Sequence, residues 1–252
     1  AVAALVVSLA IQIGTNYAND YSDGVRGTDA ADRVGPLRLV GSGLVSPGAV
    51  KRAALLSFAV AGVAGFALAA AVSWWLLVVG ALSFLAGWLY TGGPRPYGYA
   101  GLGELFVFVF FGLVATVGST YVHTEEITGL SVVVSIPVGV LLTALLVVNN
   151  LRDIPSDTRA GKRTLAVRIG ERNTRLLYLF LMTVPFVMLP FVAGLSRIGA
   201  VLAFAALPFA NRPVRTVLEG ARGPALIPAL GGTGRVQLLY GILLAVGLAV
   251  TP

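Results

Sequence analysis

Long runs of apolar residues recur along the whole chain and constrain its fold more than any other feature. Eight such runs lie at about residues 1–17, 50–72, 74–91, 101–121, 130–150, 174–194, 197–210 and 233–250. Most of them approach the roughly 20 residues that a helix needs to cross a bilayer. Because the runs are continuous rather than alternating, they exclude a transmembrane β-barrel. The sequence therefore predicts an all-α, polytopic bundle with about eight transmembrane helices.

The composition agrees with this fold class and excludes several kinds of catalytic and metal-binding site. Charged residues make up 12% of the chain, against about 25% in soluble domains. The chain has no cysteine and a single histidine, His123. It therefore has no disulfide framework, no thiolate nucleophile and no zinc–thiolate or multi-histidine metal site.

The charges are sorted by side of the membrane. When the predicted spans alternate, four connections fall on one side, and they carry seventeen of the eighteen Lys and Arg residues. Only Arg197 falls on the other side, with the acidic pair Glu125 and Glu126. The positive-inside rule makes the basic side cytoplasmic. The sequence therefore predicts a multi-pass protein of the plasma membrane. The net charge of +7 is explained by the basic residues of the cytoplasmic loops and does not indicate nucleic-acid binding.

Three further expectations concern the ends of the predicted spans. The first run is short for a span and follows no initiator Met, basic region or cleavage site, so we expect the chain to begin inside a longer protein. Residues 18–50 are polar and rich in glycine, which predicts a loop. Residues 211–232 are interrupted by Pro and Gly, which predicts a surface loop with a short amphipathic turn.

Two polar motifs follow the first and fifth apolar runs, both on the predicted cytoplasmic side. The first contains Asn16, Asp20 and Asp23, and the second contains Asn149, Asp153 and Asp157. Residues three or four apart share a face of a helix, so each motif would present an amide and two carboxylates together. Pro155 disfavours helix at the residue before it, so the fifth helix is expected to end or kink between the two aspartates of the second motif.

The chemistry of these side chains favours a magnesium-bound phosphate ester. Carboxylates that face one another at a membrane surface repel unless cations lie between them. Carboxylate and amide oxygens without His or Cys favour Mg²⁺, which keeps open positions for phosphate oxygens. The cations Arg26, Arg152, Lys162 and Arg163 would balance the charge of a diphosphate. Each motif alone has a second interpretation, in which its polar residues only solvate the exit of a helix into water.

The motifs resemble the paired Asp-rich motifs of the UbiA superfamily of intramembrane aromatic prenyltransferases, and most closely its 1,4-dihydroxy-2-naphthoate branch. The residues that carry the resemblance are NYANDYSDGVRGTD (16–29), DRVGPLRLVGSG (32–43), YTGGPRPYGYAGLGE (90–104) and NNLRDIPSDTRAGKRTLAVRIG (149–170). Position 27 is Gly, as in that branch, where the superfamily often has a third Asp. Pro155 stands where the family often has an acidic residue.

The resemblance implies a single prenyltransferase domain over residues 1–252, in a nine-helix fold whose first helix would precede this sequence. It implies metal ligation by Asp20, Asp23, Asp153 and Asp157, with Lys162 stabilising the departing pyrophosphate. The diphosphate oxygens would also meet Asn16, Asn149, Asn150, Arg26, Arg152 and Arg163.

The resemblance further implies an acceptor site under a cap formed by residues 90–97, with Tyr90, Tyr97, Tyr99 and Glu104 near the aromatic ring. Two alternatives stay open here. The Gly-Gly-Pro stretch is also strong turn chemistry. Glu104, a costly ionisable group inside a span, either positions the acceptor or the loop, or pairs with Arg95.

The implied reaction is transfer of a polyprenyl group from an allylic diphosphate to 1,4-dihydroxy-2-naphthoate, with loss of CO₂ and pyrophosphate, giving demethylmenaquinone. Mg²⁺ is the implied cofactor. Sister enzymes that use 4-hydroxybenzoate, homogentisate or chlorophyllide are the nearest alternatives. A Mg²⁺ or phosphate transporter is a different class, but transporters place their sites near the bilayer midplane, whereas these motifs lie at one surface.

Overall fold

A computed structural model describes residues 1–27, 37–195 and 197–250 of the chain. These residues form eight helices. They are α1 (Val2–Val25), α2 (Pro47–Ala71), α3 (Trp75–Leu89), α4 (Gly103–Thr124), α5 (Gly129–Arg159), α6 (Leu165–Gly194), α7 (Leu207–Leu218) and α8 (Ile227–Val250). Shorter 3₁₀ segments cover Tyr97–Ala100, Ile198–Ala206 and Gly223–Leu226. The predicted all-α class is confirmed.

Six stretches of the described chain are long and apolar enough to cross a membrane: α1, α2, α4, α5, α6 and residues 223–250. The protein is therefore a multi-pass membrane protein. The predicted span at 74–91 is α3, an apolar helix of 15 residues. The predicted span at 197–210 is a 3₁₀ segment followed by the start of α7.

Several predicted boundaries are wrong, because tertiary packing extends the helices into polar sequence. The predicted loop at 18–50 is helical as far as Val25. The predicted loop at 211–232 is largely helical, because α7 buries Ala210, Pro213 and Val217 on one face and α8 begins at Ile227. Helix α5 does not end at Pro155 but continues to Arg159.

Two helices contain local departures from α geometry. Residues Val107–Val114 of α4 form a π-helical segment, a feature often found near functional sites. Helix α6 is interrupted at Gly170, where φ is 77° and ψ is 168°. This conformation is open to glycine and strained for other residues.

The described chain divides into two compact units. Unit 1 contains residues 1–103, 118–126 and 156–164, and unit 2 contains residues 104–117, 127–155 and 165–252. In unit 1, α1 packs on α2 through a small core of Ala18, Ala54 and Phe58. The ring of Phe58 lies where a side chain at Gly14 would be, so the glycine lets the two helices approach closely.

Unit 2 holds the larger core, built from α5, α6, α7, α8 and the 3₁₀ segment Ile198–Ala206. Two buried tyrosine hydroxyls form hydrogen bonds inside it. The Tyr178 hydroxyl lies 2.6 Å from Thr233 Oγ1, and the Tyr240 hydroxyl donates to the carbonyl of Pro185 at 2.9 Å. Gly112 of α4 and Gly139 of α5 meet backbone to backbone. Close packing of small residues is the usual way in which helices associate in membranes.

Candidate active site

The first motif lies in the last three turns of α1 in unit 1. Asp20 and Asp23 are buried, with 6% and 5% of their surfaces exposed. Asn16 is exposed, and its amide donates back to the carbonyl of Gln12 at 3.0 Å. Residues 28–36, which include Asp29 and part of the second quoted stretch, lie outside the described residues. The two aspartates of the motif therefore share the inner face of α1 as predicted, and Asn16 does not join them.

Asp20 holds the loop that follows the motif. Its carboxylate accepts hydrogen bonds from the backbone N–H groups of Leu39, at 2.9 Å, and Val40, at 3.1 Å. The loop lies against the last turn of α1, where the side chain of Val40 fills the space beside Gly24. Backbone N–H donors stabilise the ionised form of a carboxylate. Asp20 thus stabilises local structure as well as carrying negative charge into the site.

Asp23 is the centre of a cluster that joins the two motifs within unit 1. Its Oδ2 forms an ion pair with Lys162 Nζ at 3.0 Å, and its Oδ1 accepts a hydrogen bond from the hydroxyl of Tyr99. Lys162 Nζ lies 4.8 Å from the centre of the Tyr99 ring, and the guanidinium of Arg26 lies 5.4 Å from it. We call Asp23, Lys162, Tyr99 and Arg26 the Asp23 cluster. It brings together one carboxylate, two cations and one phenol.

The end of α5 fixes the position of Lys162. Gly161 adopts a left-handed conformation with φ of 71°, and its N–H donates to the carbonyl of Thr158. The N–H of Lys162 donates to the carbonyl of Asp157 at 2.8 Å. These two bonds form a Schellman cap. The N–H of Arg163 then donates to the carbonyl of Tyr99 at 2.9 Å, which ties this end of the second motif to the 90–99 segment.

The upstream part of the second motif lies in unit 2. Arg152 binds the carboxylate of Asp153 through two hydrogen bonds of 2.7 Å each, and both side chains are buried. Asn150 Nδ2 donates to Glu104 Oε1 at 2.9 Å. Glu104 Oε2 is buried and makes no hydrogen bond with any other described residue. Asn150 was predicted to face the diphosphate, and the structure instead places its amide on Glu104. Asn149 is half-buried.

The predicted cap at residues 90–97 is part of unit 1 and packs against the end of α3. The Tyr97 hydroxyl donates to the carbonyl of Ala86 at 2.7 Å, and the rings of Tyr90 and Tyr97 pack edge to face, 5.5 Å apart. Burial raises the pKa of Tyr97, so its hydroxyl stays a donor. Arg26 donates to the carbonyl of Gly93. Of the three tyrosines assigned to the acceptor, Tyr99 lies in the Asp23 cluster, while Tyr90 and Tyr97 hold the segment itself.

Sequence reasoning missed the pair formed by Asn19 and Thr91. The Thr91 hydroxyl donates to Asn19 Oδ1 at 2.8 Å, which ties the 90–99 segment to α1 beside Asp20. The sequence carried one signal for this pair, because Asn19 directly precedes the first aspartate of the motif.

The donor set suits a hard divalent cation, although the described residues do not assemble a complete metal cage. Asp20, Asp23 and Asp157 lie in unit 1 and Asp153 lies in unit 2. Within the described ranges, no group of three or more Asp, Glu, His or Cys side chains is close enough to hold a metal ion alone. Mg²⁺ usually binds through one or two carboxylates and takes its remaining ligands from substrate phosphates and water. Carboxylates without His or Cys fit that pattern.

Comparisons with known proteins support the family predicted from the motifs. Residues 1–218 match the UbiA prenyltransferase family. The chain belongs to the UbiA prenyltransferase family. The resemblance noted from the sequence motifs is thereby confirmed.

Two relatives of this UbiA protein are similar over almost all of its length. It is 49% identical to the 1,4-dihydroxy-2-naphthoate octaprenyltransferase of Mycobacterium tuberculosis, covering 99% of this chain and 85% of that protein. It is 36% identical to the Escherichia coli protein of the same name, covering 98% of this chain and 83% of that protein.

A solved structure supports the fold. The UbiA homolog from Archaeoglobus fulgidus bound to GPP and Mg²⁺ aligns with a TM-score of 0.65, covering 99% of this chain and 87% of that one. Because the sequence identity is 13%, this likeness speaks for the UbiA fold alone.

Proposed function

We propose that this protein transfers a polyprenyl group from an allylic polyprenyl diphosphate to 1,4-dihydroxy-2-naphthoate. The observation that carries the proposal is the 49% identity, over nearly the whole chain, to an enzyme named for that activity. The Asp23 cluster supports it, because it gathers a carboxylate, an ammonium, a guanidinium and a phenol from the ends of α1 and α5 and from the 90–99 segment at one place.

At the diphosphate end, Asp20, Asp23, Asp153 and Asp157 would hold Mg²⁺, with Asn149 adding an amide oxygen. Bound Mg²⁺ would stabilise the negative charge that develops on the leaving pyrophosphate. Lys162, Arg163 and Arg26 would donate to the phosphate oxygens. Lys162 would then exchange its ion pair with Asp23 for one with the substrate, since an ammonium group on a flexible stem binds either anion.

The proposed reaction replaces the carboxylate of the naphthoate with the polyprenyl group. The bond between the allylic carbon and the diphosphate oxygen breaks, and its electrons leave with pyrophosphate. The ring carbon that bears the carboxylate forms a bond to that allylic carbon. CO₂ leaves, and its bonding electrons restore the aromatic ring. The immediate product is demethylmenaquinol, and demethylmenaquinone is its two-electron oxidised form.

At the acceptor end, we propose that Glu104 accepts a hydrogen bond from a hydroxyl group of the naphthoate. One of its oxygens is held by Asn150 and the other makes no hydrogen bond with a described residue. A buried carboxylate oxygen without a partner is costly, and a phenolic hydroxyl would satisfy it. The hydrogen bond would also increase the electron density of the ring that attacks the allylic carbon.

We also propose the location of the reaction. The distribution of Lys and Arg supports a cytoplasmic position for both motifs, in a protein of the plasma membrane. We retain the sequence-based proposal that residues 1–252 act as one prenyltransferase domain. An apolar environment suits the chemistry, because water would capture a cation-like allylic carbon.

Product analysis with purified protein tests the proposal. The protein is incubated with Mg²⁺, a polyprenyl diphosphate and 1,4-dihydroxy-2-naphthoate, and the products are identified by mass spectrometry. We expect the prenylated, decarboxylated quinol, and none from Asp153→Asn. Parallel incubations contain 4-hydroxybenzoate, homogentisate or chlorophyllide. Product from one of these acceptors and none from the naphthoate would overturn the assignment.

A further inference from the structure

An open apolar groove runs along unit 2 between α6 and the segment that contains α7. Its volume is about 910 Å³, within the roughly 300–1,000 Å³ typical of ligand pockets. One wall is a stripe on α6 at three- and four-residue spacing, between Leu179 and Pro190. The facing wall runs from Phe204 to Val214. The lining is almost wholly apolar, with Thr183 and Asn211 as its polar side chains, and the Thr183 hydroxyl is bonded to its own helix.

Small residues behind the groove explain why it stays open. The 3₁₀ segment Ile198–Ala206 packs against α8, and its Gly199 carbonyl occupies the place of a side chain at Gly247. Ala203 and Ala206 of the same segment are buried. This packing draws the segment toward α8. Large side chains of α6 remain uncovered on the groove side, including Val187 with 68% of its surface exposed.

The length of the groove matches one leaflet of a bilayer. Its α6 wall covers eleven steps between Leu179 and Pro190, about 16 Å at roughly 1.5 Å per residue. The hydrocarbon core of a bilayer is about 30 Å thick. A single acyl chain in one leaflet therefore fits the groove along its length. An extended chain of eight isoprene units is much longer.

Arginines lie at one end of the groove. On α6 the stripe that contains Leu179 continues to Arg175 and Arg172, four and seven residues earlier. On α7, Arg212 and Arg215 follow the lining residues Pro208 and Asn211 by four. Residues at these spacings share a helix face. The two sets lie at the same end, because Arg175 donates to the carbonyls of Val217 and Ala221.

The charge at this end is positive and available to a ligand. Arg172 and Arg212 are exposed, and Arg215 forms an exposed ion pair with Glu219 at 3.1 Å, an interaction that is worth little in water. Glu171 is paired with both Arg175 and Arg222. Five arginines and two glutamates leave an excess of positive charge beside the apolar groove.

We propose that this groove binds one anionic glycerophospholipid. One acyl chain lies between α6 and α7, and the phosphate of the headgroup binds Arg212, Arg215 and Arg172. The charge selects anionic over zwitterionic headgroups, since basic residues near a membrane surface attract anionic lipids. The length of the groove selects an acyl chain over a polyprenyl chain. This site is separate from the aspartate motifs and does not depend on the proposed transferase activity.

Native mass spectrometry of the full chain tests the proposal. The protein is delipidated in detergent and titrated with 1-palmitoyl-2-oleoyl phosphatidylglycerol or with the matching phosphatidylcholine. We expect one phosphatidylglycerol to bind with a Kd about tenfold or more below that of phosphatidylcholine. Arg212→Gln/Arg215→Gln should remove this preference, and Val187→Trp, which fills the groove, should weaken the binding of both lipids.

Two matched controls accompany these variants. Arg52→Gln/Arg235→Gln removes two exposed arginines elsewhere, and Val246→Trp adds the same bulk to an exposed position of α8 outside the groove. Both should bind lipid as the unchanged protein does. Equal affinity for the two lipids, or retention of phosphatidylglycerol preference in Arg212→Gln/Arg215→Gln, would overturn the proposal. A prenyl diphosphate or prenylated quinol that displaces the phospholipid at equal concentration would also overturn it.

Discussion

Asp23 and Lys162 form a buried ion pair between residues that are 139 positions apart in the sequence. Less than a tenth of the Asp23 side chain and a tenth of the Lys162 side chain are exposed. Removing one partner of such a pair leaves an uncompensated charge and costs about 3–5 kcal/mol, whereas replacing both partners with uncharged groups is often neutral. The effect of this pair on thermal stability can therefore be separated from its effect on turnover by comparing single and double variants.

Asp23→Asn should lower the midpoint of thermal unfolding and reduce kcat by about 100-fold or more, as expected when a preorganised electrostatic group is lost. Adding Lys162→Met to that variant removes the unpaired cation. We expect the double variant to regain the unfolding midpoint of the unchanged protein while its turnover stays low. The measurements are thermal unfolding in detergent and steady-state product formation. Recovery of turnover together with stability would limit the pair to a structural role.

Glu104→Gln is a sharp test of the acceptor site, because glutamine can keep the hydrogen bond from Asn150 while its second group becomes a donor. A hydrogen bond to a charged group contributes roughly 1.5–3 kcal/mol. We therefore expect KM for 1,4-dihydroxy-2-naphthoate to rise about tenfold or more, with KM for the prenyl diphosphate unchanged. Naphthoates with a methoxy group in place of one hydroxyl should bind Glu104→Gln better than the unchanged protein.

Glu126→Gln is the matched control for this experiment. It is the same substitution at an exposed position of the loop before α5, and no kinetic change is expected. Should Glu104→Gln alter KM for both substrates equally, or leave the preference for hydroxyl over methoxy intact, Glu104 does not touch the acceptor.

At the scale of the elements, sequence patterns predicted where apolar helices lie but not where they end. The spacing of Asn149, Asp153 and Asp157 predicted one helix face, and α5 carries all three. The rule that proline ends a helix failed at Pro155, which is exposed within α5. The extent of helix α7 was predicted wrongly for a related reason. Proline at positions 208 and 213 favoured a break in the helix, whereas α7 continues through both and buries Ala210, Pro213 and Val217 on one face.

The contacts of the site were less predictable than its residues. The motif residues themselves could be read from the sequence because carboxylates and amides recur at helical spacing beside apolar runs. Nothing in that spacing indicates that Asp20 accepts backbone N–H groups from Leu39 and Val40, or that Asn150 holds Glu104. Such pairings depend on loop paths and on packing between distant segments, and these are properties of the folded chain.

Gly247 is the clearest case of an element position that only glycine fits. A side chain there would overlap the carbonyl of Gly199, so Gly247→Ala must push the 3₁₀ segment Ile198–Ala206 away from α8. Overpacking of this kind costs about 1–3 kcal/mol. We expect a lower midpoint of thermal unfolding in detergent.

Gly241→Ala on the same helix provides the control. Apart from the adjacent residues and backbone of its own helix, no heavy atom lies within 4 Å of the added methyl group at that position. Alanine is favoured over glycine in a helix by up to about 1 kcal/mol. Its unfolding midpoint should stay the same or rise. Equal destabilisation by the two substitutions would show that the contact between Gly199 and Gly247 is not tight.

At the scale of the whole molecule, the proposed orientation rests on the distribution of charge among the connections. Six stretches meet the length and hydropathy of membrane spans, and α3 and residues 198–218 are shorter or less regular. The predicted orientation requires that both of these also cross. If α3 instead lay along the surface, the two motifs would fall on opposite sides of the membrane. If residues 198–218 did not cross, both motifs would stay on one side and the loop after α7 would lie on the other.

The absence of cysteine from the chain makes this orientation directly measurable. Thr158→Cys and Arg222→Cys report the connections after α5 and α7, and Glu126→Cys reports the loop before α5; all three positions are exposed. In intact cells or spheroplasts, a membrane-impermeant maleimide should label Glu126→Cys alone, and permeabilisation should add the other two. Labelling of Arg222→Cys without permeabilisation, with Thr158→Cys protected, would show that residues 198–218 do not cross. Labelling of Thr158→Cys from outside would place the second motif on the opposite side, where the positive-inside rule does not allow it.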